Sequence, residues 1–310
     1  MQLLDEVGLK KKDLILPVFV QESEEEREIT YMPGIKKTSS KKILHYVRSI
    51  LETGISSIIL FGIPNSRDEK GSVSLKKNGV VQHALRKIKG EFGDQINLIT
   101  DVCICQYNYS GHCGLFENGE VANDSTLNLI SRIALSHVEA GADVLAPSSM
   151  MDGQVWSIRK ILKEHGFEKT KIFAYSAKQS SCLYAPFRSA TFSDMSQFRT
   201  INKLSYQILC ANPNQILREV EADIREGADM VMVKPGIISL DIVCRIKEKY
   251  DFPVAVQNVS GEYAMVKAAA IHGWIKEEEW KINSIASIKR AGADKIISYF
   301  TLDLCEQLSD

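Results

Sequence analysis

The sequence predicts an α/β protein, a closed (β/α)₈ barrel of the TIM type, from its length, its apolar segments and the helix-like segments between them. One such barrel needs about 250 residues, and the chain has 310. Its apolar segments of strand length are near-continuously apolar, which is typical of parallel strands covered on both faces. They are residues 14–20, 56–62, 96–104, 142–148, 171–177, 228–235, 253–261 and 293–300. An open doubly wound sheet is the alternative architecture.

Amphipathic segments separate the predicted strands. Examples are residues 40–54, 124–141 and 214–227. Asp124 and either Asn212 or Asn214 are candidate N-caps, because short polar side chains accept hydrogen bonds from the first free amides of a helix. The tripeptide Gly-Ala-Asp precedes three of the strands, beginning at Gly141, Gly227 and Gly292. This recurrence indicates a repeated helix-strand unit.

The whole chain, residues 1–310, is predicted to form a single barrel domain. Residues 1–13 are expected to be a short N-terminal arm, and the acidic segment 21–28 a solvated loop. Residues 187–207 are too long for an ordinary connection between a strand and a helix. We interpret this segment as an active-site lid.

Composition excludes several classes of function. Lys and Arg (38) nearly balance Asp and Glu (39), so no excess positive charge is available for nucleic acid or an anionic membrane. The N-terminus lacks the pattern of a signal peptide, and no apolar run approaches the roughly 18 residues of a membrane span. Seven unevenly spaced cysteines argue against a disulfide framework. We therefore expect a cytoplasmic protein that binds neither nucleic acid nor membranes.

Two lysines stand at or near the ends of neighbouring predicted strands. Lys178 follows the fifth apolar segment, and Lys234 lies in the sixth. Chemistry in a barrel belongs at the C-terminal ends of the strands, so these amines should lie close together. Burial and mutual repulsion should depress at least one pKa, and a neutral amine can attack a ketone to form an imine. Each lysine alone could equally reach solvent or pair with a carboxylate.

Three cysteines, Cys103, Cys105 and Cys113, follow the third predicted strand on a glycine-containing loop. Three thiolates can hold Zn²⁺ tetrahedrally and leave one position for water or substrate. Packing as reduced thiols is the alternative. His112 could be a fourth ligand, a partner of a ligand or an ordinary loop histidine, and the sequence does not choose among these.

These motifs together resemble the porphobilinogen synthase family, also called 5-aminolevulinate dehydratase, from about Leu14 to Leu304. The most specific matching segments are residues 32–35, 101–114, 146–155, 175–188, 227–236, 259–265 and 287–300. The resemblance implies a (β/α)₈ fold. It also implies the condensation of two 5-aminolevulinate molecules to porphobilinogen, a precursor of haem and other tetrapyrroles, with loss of two waters.

The resemblance also assigns roles to individual residues. It implies that Lys234 forms a Schiff base with one substrate, that Lys178 engages the other, and that Asp101 transfers protons. The cysteines match the family's zinc ligands. By position, Ser260 and Tyr299 correspond to residues that hold one substrate carboxylate, and Arg188 and Gln207 to residues that hold the other.

This chain departs from the family pattern at Lys203, where the family has an arginine. Lysine keeps the charge but lacks the fork that binds a carboxylate through two nitrogens, so we expect weaker binding of the second substrate. Glu219 matches a position that helps to bind an allosteric Mg²⁺ in some relatives; a solvated helix glutamate is the alternative. The family's octamer is supported by a longer arm, so a homo-oligomer is expected here, with a dimer or hexamer as alternatives to the octamer.

Two competing functions remain at this stage. A class I aldolase or transaldolase is also a barrel with a Schiff-base lysine, but it uses one such lysine and no thiolate zinc. A degenerate homologue would bind zinc or a partner without turnover. The paired lysines and the three cysteines favour the dehydratase.

Overall fold

The computed structural model of the protein describes residues 2–191 and 203–308. Within these ranges the strands are β1 (Leu14–Gln21), β2 (Arg27–Glu28), β3 (Lys36–Ser39), β4 (Ser57–Ile63), β5 (Asn97–Val102), β6 (Leu115–Glu117), β7 (Glu120–Ala122), β8 (Val144–Pro147), β9 (Lys171–Lys178), β10 (Met230–Lys234), β11 (Val254–Gln257) and β12 (Lys295–Ile297). The helices are α1 (Gln2–Glu6), α2 (Ile43–Glu52), α3 (Val80–Phe92), α4 (Asn123–Glu139), α5 (Gln154–Glu164), α6 (Ala185–Thr191), α7 (Pro213–Arg225), α8 (Leu240–Tyr250), α9 (Ser260–Ile271), α10 (Glu277–Arg290) and α11 (Thr301–Cys305).

Eight parallel strands close into a barrel in the order β1, β4, β5, β8, β9, β10, β11, β12 and back to β1. The closing pair joins Leu14 of β1 to Ile296 of β12, which excludes the open doubly wound sheet. Each of the eight predicted segments overlaps one barrel strand, so the predicted fold class is confirmed. All eight residues of β1 and all four of β8 are buried, as expected for strands covered on both faces.

The Gly-Ala-Asp repeat fastens neighbouring strands at their N-terminal ends. Its glycines adopt φ values of 108°, 100° and 110°, which suit glycine at the end of a helix. Each aspartate accepts the backbone N–H at the start of the preceding barrel strand. The pairs are Leu98 with Asp143 at 2.9 Å, Ile172 with Asp229 at 2.9 Å and Val254 with Asp294 at 2.8 Å. Each carboxylate also pairs with a basic side chain from the helix that leads into that neighbouring strand, namely Lys89, Arg159 and Lys247.

Helix caps agree with the sequence at one of two sites. The Asn212 side chain accepts the N–H of Gln215 at 3.1 Å, and Pro213 occupies the first turn of α7, as expected for an N-cap followed by proline. The prediction that Asp124 is an N-cap was wrong, because α4 begins at Asn123 and Ala122 occupies the cap position.

Four strands were not predicted. β3 runs parallel to β1 beside residues 19–21, where β12 no longer pairs with β1, and β2 joins β3 antiparallel. The expected loop 21–28 is therefore ordered at both ends. A second, separate hairpin of β6 and β7 follows the cysteine loop.

The structure describes residues 2–13 of the predicted arm but only part of the predicted lid. Leu4 and Leu9 are buried, and Asp13 pairs with Lys289 at 3.0 Å, so the N-terminal segment packs on its own barrel. Of the predicted lid, residues 187–191 complete α6 and 203–207 form a turn, whereas 192–202 lie outside the described residues. Across the described part of the chain, no helix combines the length and apolar character needed to cross a membrane.

Candidate active site

The two lysines end adjacent strands and occupy one cavity at the C-terminal side of the barrel. Lys178 is the last residue of β9 and Lys234 the last of β10, and the strand register places them directly opposite each other. Their exposed fractions are 6% and 8%. The predicted site residues that line this cavity are Asp101, Cys105, Cys113, Lys178, Arg188, Lys203, Gln207 and Lys234.

Lys234 points into an aromatic pocket. Its Nζ lies 5.2 Å from the ring centre of Tyr175, 5.1 Å from that of Tyr184 and 5.6 Å from that of Phe187. Burial, and after it the charge of Lys178, lowers the pKa of Lys234 to about 7. Because the neutral amine is then well populated near neutral pH, Lys234 can act as a nucleophile toward a carbonyl carbon.

Lys178 has a polar environment. Its Nζ donates a hydrogen bond to the Ser148 carbonyl at 2.5 Å and lies 4.0 Å from Cys113 Sγ. Burial disfavours its charge, but the negative groups opposite it, Cys113 first among them, more than compensate, so the pKa of Lys178 is raised. The pKa values of the two lysines are therefore displaced in opposite directions from the ordinary lysine value.

Asp101, in β5, is held by two side chains that sequence reasoning missed. Its Oδ1 accepts the Ser148 hydroxyl at 2.6 Å, and its Oδ2 accepts Gln106 Nε2 at 3.1 Å. Burial raises the pKa of the Asp101 carboxyl despite the hydrogen bond from Ser148. A carboxyl with a raised pKa holds a proton more readily than an ordinary aspartate, which suits a group that must both accept and return one. Ser148 joins Asp101 to Lys178, since its carbonyl accepts the lysine.

The three cysteine sulfurs lie within 4.8 Å of one another. Cys103 and Cys113 are buried and Cys105 is partly exposed. Hydrogen bonds from Cys103 and Cys105 lower the pKa of Cys113 well below its usual value. A tetrahedral zinc ion with Zn–S bonds of about 2.3 Å separates its sulfurs by about 3.8 Å, so the donor type and spacing both fit zinc. In the described ranges this is the one group of His, Cys, Asp and Glu able to hold a metal ion.

His112 is not part of that metal-binding group. Its Nδ1 lies 3.2 Å from the hydroxyl of Tyr206, a residue that sequence reasoning did not single out. Of the three alternatives for His112, this geometry favours a partner of the ligand loop over a fourth ligand. The Tyr206 hydroxyl also accepts the backbone N–H of Cys113 at 3.1 Å.

Lys203 and Gln207 both face the cavity from the end of the predicted lid. Lys203 is 7% exposed, and its Nζ lies 3.3 Å from Cys113 Sγ. Gln207 Oε1 is buried without a hydrogen-bond partner among the described residues. The guanidinium of Arg188 lies 5.9 Å from the ring centre of Tyr184. Lys203 therefore lies on the Lys178 side of the pocket beside Cys113, whereas Arg188 lies against a ring that also borders Lys234.

Ser260 and Tyr299 do not line the cavity that holds the lysines. The Ser260 hydroxyl accepts the N–H of Phe187 at 3.0 Å and donates to the Leu183 carbonyl at 3.2 Å. Tyr299 stacks on Phe19 with ring centres 6.1 Å apart. Its buried hydroxyl has no hydrogen-bond partner within the described ranges.

Glu219 lies apart from the cavity of the lysines. It is in α7 and lines a cavity of about 320 Å³ together with Asp152, Asp223 and Glu226. It also lines a larger cavity of about 950 Å³, which Gln207 borders as well. Burial raises the pKa of Glu219, and the charge of Asp152 adds to this effect. The structure therefore does not bring Glu219 together with the predicted catalytic residues.

Glu262 was also missed by sequence reasoning. Its carboxylate accepts the N–H groups of Val259 at 2.5 Å, Ile237 at 2.6 Å and Gly236 at 3.3 Å. It thereby joins the turn after Lys234 to the start of α9. The signal was present, because Glu262 lies in one matching motif and Gly236 in another, but the contact itself depends on the tertiary fold.

The fold and the cavity define an α/β-barrel enzyme with two paired lysines beside a cluster of three cysteines. A family model described as "Delta-aminolevulinic acid dehydratase" matches residues 1–307. The chain therefore belongs to the delta-aminolevulinic acid dehydratase, or porphobilinogen synthase, family of dehydratase-type lyases. The resemblance predicted from the sequence motifs is confirmed.

Relatives and a solved structure agree with this family. The chain is 45% identical over 304 residues to the delta-aminolevulinic acid dehydratase of Archaeoglobus fulgidus, covering 98% of this chain and 93% of that protein. It is 45% identical to that of Synechococcus elongatus, covering 99% and 95%. A crystal structure of the Toxoplasma gondii ME49 enzyme in complex with the reaction product porphobilinogen is 37% identical, with a TM-score of 0.94, and the match covers 99% of this chain and 87% of that one.

Proposed function

We propose that this protein is a porphobilinogen synthase that condenses two 5-aminolevulinate molecules to porphobilinogen and two waters, in tetrapyrrole and haem biosynthesis. The observation that carries the proposal is the direct pairing of Lys178 with Lys234 in one buried cavity. Two ketone substrates need two amines that can capture a carbonyl carbon. A class I aldolase would need only one such amine, and a degenerate homologue without turnover would not need a lysine with a shifted pKa.

Lys234 is the residue that captures a substrate at neutral pH. Its neutral Nζ attacks the ketone carbon, and loss of one water from the resulting carbinolamine gives the Schiff base. The rings of Tyr175, Tyr184 and Phe187 around the amine exclude water, which disfavours the protonated lysine and hydrolysis of the imine.

Lys178 engages the second substrate and must lose a proton before it can attack. Asp101 is suited to accept and return that proton, because burial raises its pKa. Ser148 bonds both groups, through its hydroxyl to Asp101 and its carbonyl to Lys178. We assign Asp101 the role of general acid and base on this side of the cavity.

Cys103, Cys105 and Cys113 are the proposed ligands of Zn²⁺, on the grounds of their thiolate chemistry and spacing. When bound there, zinc supplies a Lewis acid beside the second substrate. The chain's own contribution is to hold the thiolates next to Lys178, whose Nζ lies 4.0 Å from Cys113 Sγ.

Carboxylate recognition is assigned to two groups of side chains. Arg188, Lys203 and Gln207 would hold the carboxylate on the Lys178 side. All three line the cavity, and Gln207 Oε1 has no hydrogen-bond partner among residues 2–191 and 203–308. Ser260 and Tyr299 would hold the other. The Ser260 hydroxyl bonds the backbone of Phe187 and Leu183, so this assignment requires Ser260 to exchange those partners for substrate.

Three further expectations stay proposals. We propose a cytoplasmic homo-oligomer, with light scattering to distinguish a dimer, hexamer and octamer. Glu219 is proposed as a Mg²⁺ ligand. It belongs to no metal-binding group in the described residues, so a neighbouring subunit would have to supply the other ligands. Stimulation by Mg²⁺ that disappears in Glu219→Ala would support that role.

The deciding assay incubates the purified protein with 5-aminolevulinate and zinc and measures the pyrrole colour reaction. Absence of pyrrole with both zinc and Mg²⁺ present would refute the proposal. Borohydride reduction in the presence of substrate, followed by peptide mass mapping, should place the trapped adduct on Lys234 and, after longer reaction, on Lys178. Lys163 is exposed in α5 and serves as the internal control that should remain unmodified.

A further inference from the structure

We infer that Tyr206 is a positioning residue for the cysteine loop, residues 103–113, and that its hydroxyl raises the affinity of this loop for metal. The inference rests on the proposed function in one respect, namely that the three cysteines bind a metal ion. Tyr206 itself touches neither lysine, and it lies at the end of the segment predicted to be a lid.

The contacts of Tyr206 converge on the last of the three cysteines. Its hydroxyl accepts the N–H of Cys113 at 3.1 Å and lies 3.2 Å from Nδ1 of the adjacent His112. The ring of Tyr206 packs 5.9 Å from the His112 ring. One hydroxyl therefore fixes both the backbone of a metal ligand and the side chain next to it.

The rest of the loop, as far as His112, is held by its own residues and by Asp68, whose backbone pairs with Tyr107 and Tyr109. Asn108 Oδ1 accepts the N–H of Gly111 at 2.7 Å, and Asn108 Nδ2 donates to the carbonyl of His112 at 3.0 Å. Gly111 has φ of 64°, which suits a glycine in this turn. The Cys113 amide lies just beyond the reach of Asn108, and Tyr206 is what orients it.

Tyr206 is in turn anchored to the strand that carries Lys178. The N–H of Ser180 donates to the Ile208 carbonyl at 2.9 Å, and Gln179 and Ile208 form a parallel bridge. Residues 203–208 are also closed on themselves by the bond from Gln207 N–H to the Lys203 carbonyl at 2.9 Å. The cysteine loop and the end of β9 are thus joined through Tyr206, which keeps the thiolates at a fixed position relative to Lys178.

The test is a titration of chelator-treated protein with Co²⁺, a zinc substitute whose thiolate charge-transfer bands report binding without any catalysis. Partners that orient metal ligands typically contribute about 10- to 100-fold to metal affinity. Tyr206→Phe removes a single oxygen and should weaken Co²⁺ binding by at least about tenfold. Tyr109→Phe is the matched control, because Tyr109 is in the same loop with its side chain 65% exposed, and it should bind like the unaltered protein.

The outcomes separate this inference from the proposed function. If the unaltered protein gives no cobalt-thiolate bands, the metal assignment fails and this inference fails with it. If the unaltered protein binds and Tyr206→Phe binds equally well, the inference alone is overturned. Borohydride trapping at Lys234 checks that the variant is folded. Should it not fold, hydrogen exchange of the Cys113 amide in the unaltered protein decides, since exchange at the rate of an unprotected amide would contradict its bond to the Tyr206 hydroxyl.

Discussion

Lys178 and Lys234 are the same residue type at paired positions of adjacent strands, yet their surroundings differ. Lys234 is enclosed by three aromatic rings, whereas Lys178 lies against the Ser148 carbonyl and the thiolate of Cys113. Burial is common to both. The difference in neighbouring charge moves their pKa values apart, to about 7 for Lys234 and above the usual value for Lys178.

The comparison teaches how one cavity can treat two identical substrates differently. Groups whose environments separate their pKa values take on different roles. In the proposed mechanism, the apolar side of the cavity, around Lys234, presents a ready nucleophile. The charged side, around Lys178 and Cys113, presents an amine that needs Asp101 as a base. An asymmetric product from two equal molecules requires such an asymmetry in the site.

The largest effect is expected from Lys234→Met, which removes the ready nucleophile. Pyrrole formation should fall by at least about 10⁴-fold, the order of loss seen when a covalent nucleophile is removed. Borohydride adducts at this position should vanish. Lys163→Met, on the exposed face of α5, should keep full activity. If Lys234→Met kept activity within about tenfold of the parent, Lys234 would not be the residue that captures the substrate.

Removal of the metal should impair the reaction of the second substrate, on the Lys178 side, and leave the capture of substrate by Lys234 intact. Chelation, or Cys113→Ser, should lower pyrrole formation by at least about 100-fold, the range for loss of a preorganised electrostatic group. Trapping of substrate at Lys234 should survive, because the aromatic pocket does not depend on the thiolates. Cys182→Ser is the control, since Cys182 is exposed. Equal loss of trapping and turnover would break the separation of the two sides.

The pH dependence of trapping should sharpen the comparison further. A lysine with a lowered pKa is protonated and inert below that value and neutral above it. The initial rate of substrate trapping at Lys234 should therefore rise about tenfold per pH unit below pH 7 and level off above it. Phe187→Asp places a carboxylate beside the amine and should shift this midpoint upward. A midpoint that stays near the ordinary lysine pKa in the parent would contradict the effect of burial.

The barrel and the lysine pair could be predicted because each depends on a local pattern. Buried parallel strands give continuous apolar runs, and the residue ending such a run faces the active side of a barrel. β2 could not be predicted, since its residues Arg27 and Glu28 are exposed and polar. It is a strand only because β3 lies beside it.

The charge states of the lysines needed the tertiary structure. Sequence reasoning expected at least one lowered pKa but could not choose between the two. The choice depends on the negative groups beside Lys178, above all Cys113, which is 65 residues away in sequence. Tyr206 was missed for the same reason, because its partner Cys113 lies 93 residues away.

The smallest effect is expected from Lys203→Arg, on the charged side. A guanidinium binds a carboxylate through two parallel hydrogen bonds, whereas an ammonium cannot. KM for 5-aminolevulinate should fall about three- to tenfold, corresponding to about 1 kcal/mol, with kcat unchanged.

Lys203 Nζ also lies 3.3 Å from Cys113 Sγ at a position only 7% exposed, so the larger side chain could disturb the thiolates. A parallel Co²⁺ titration distinguishes the two effects, because a change in substrate grip alone leaves metal affinity as in the parent. Saturation of the parent at ordinary substrate levels, with no improvement in the variant, would show that Lys203 already serves the carboxylate as well as arginine does. The asymmetry between the two sides would then reside in the lysines and not in how each side binds its carboxylate.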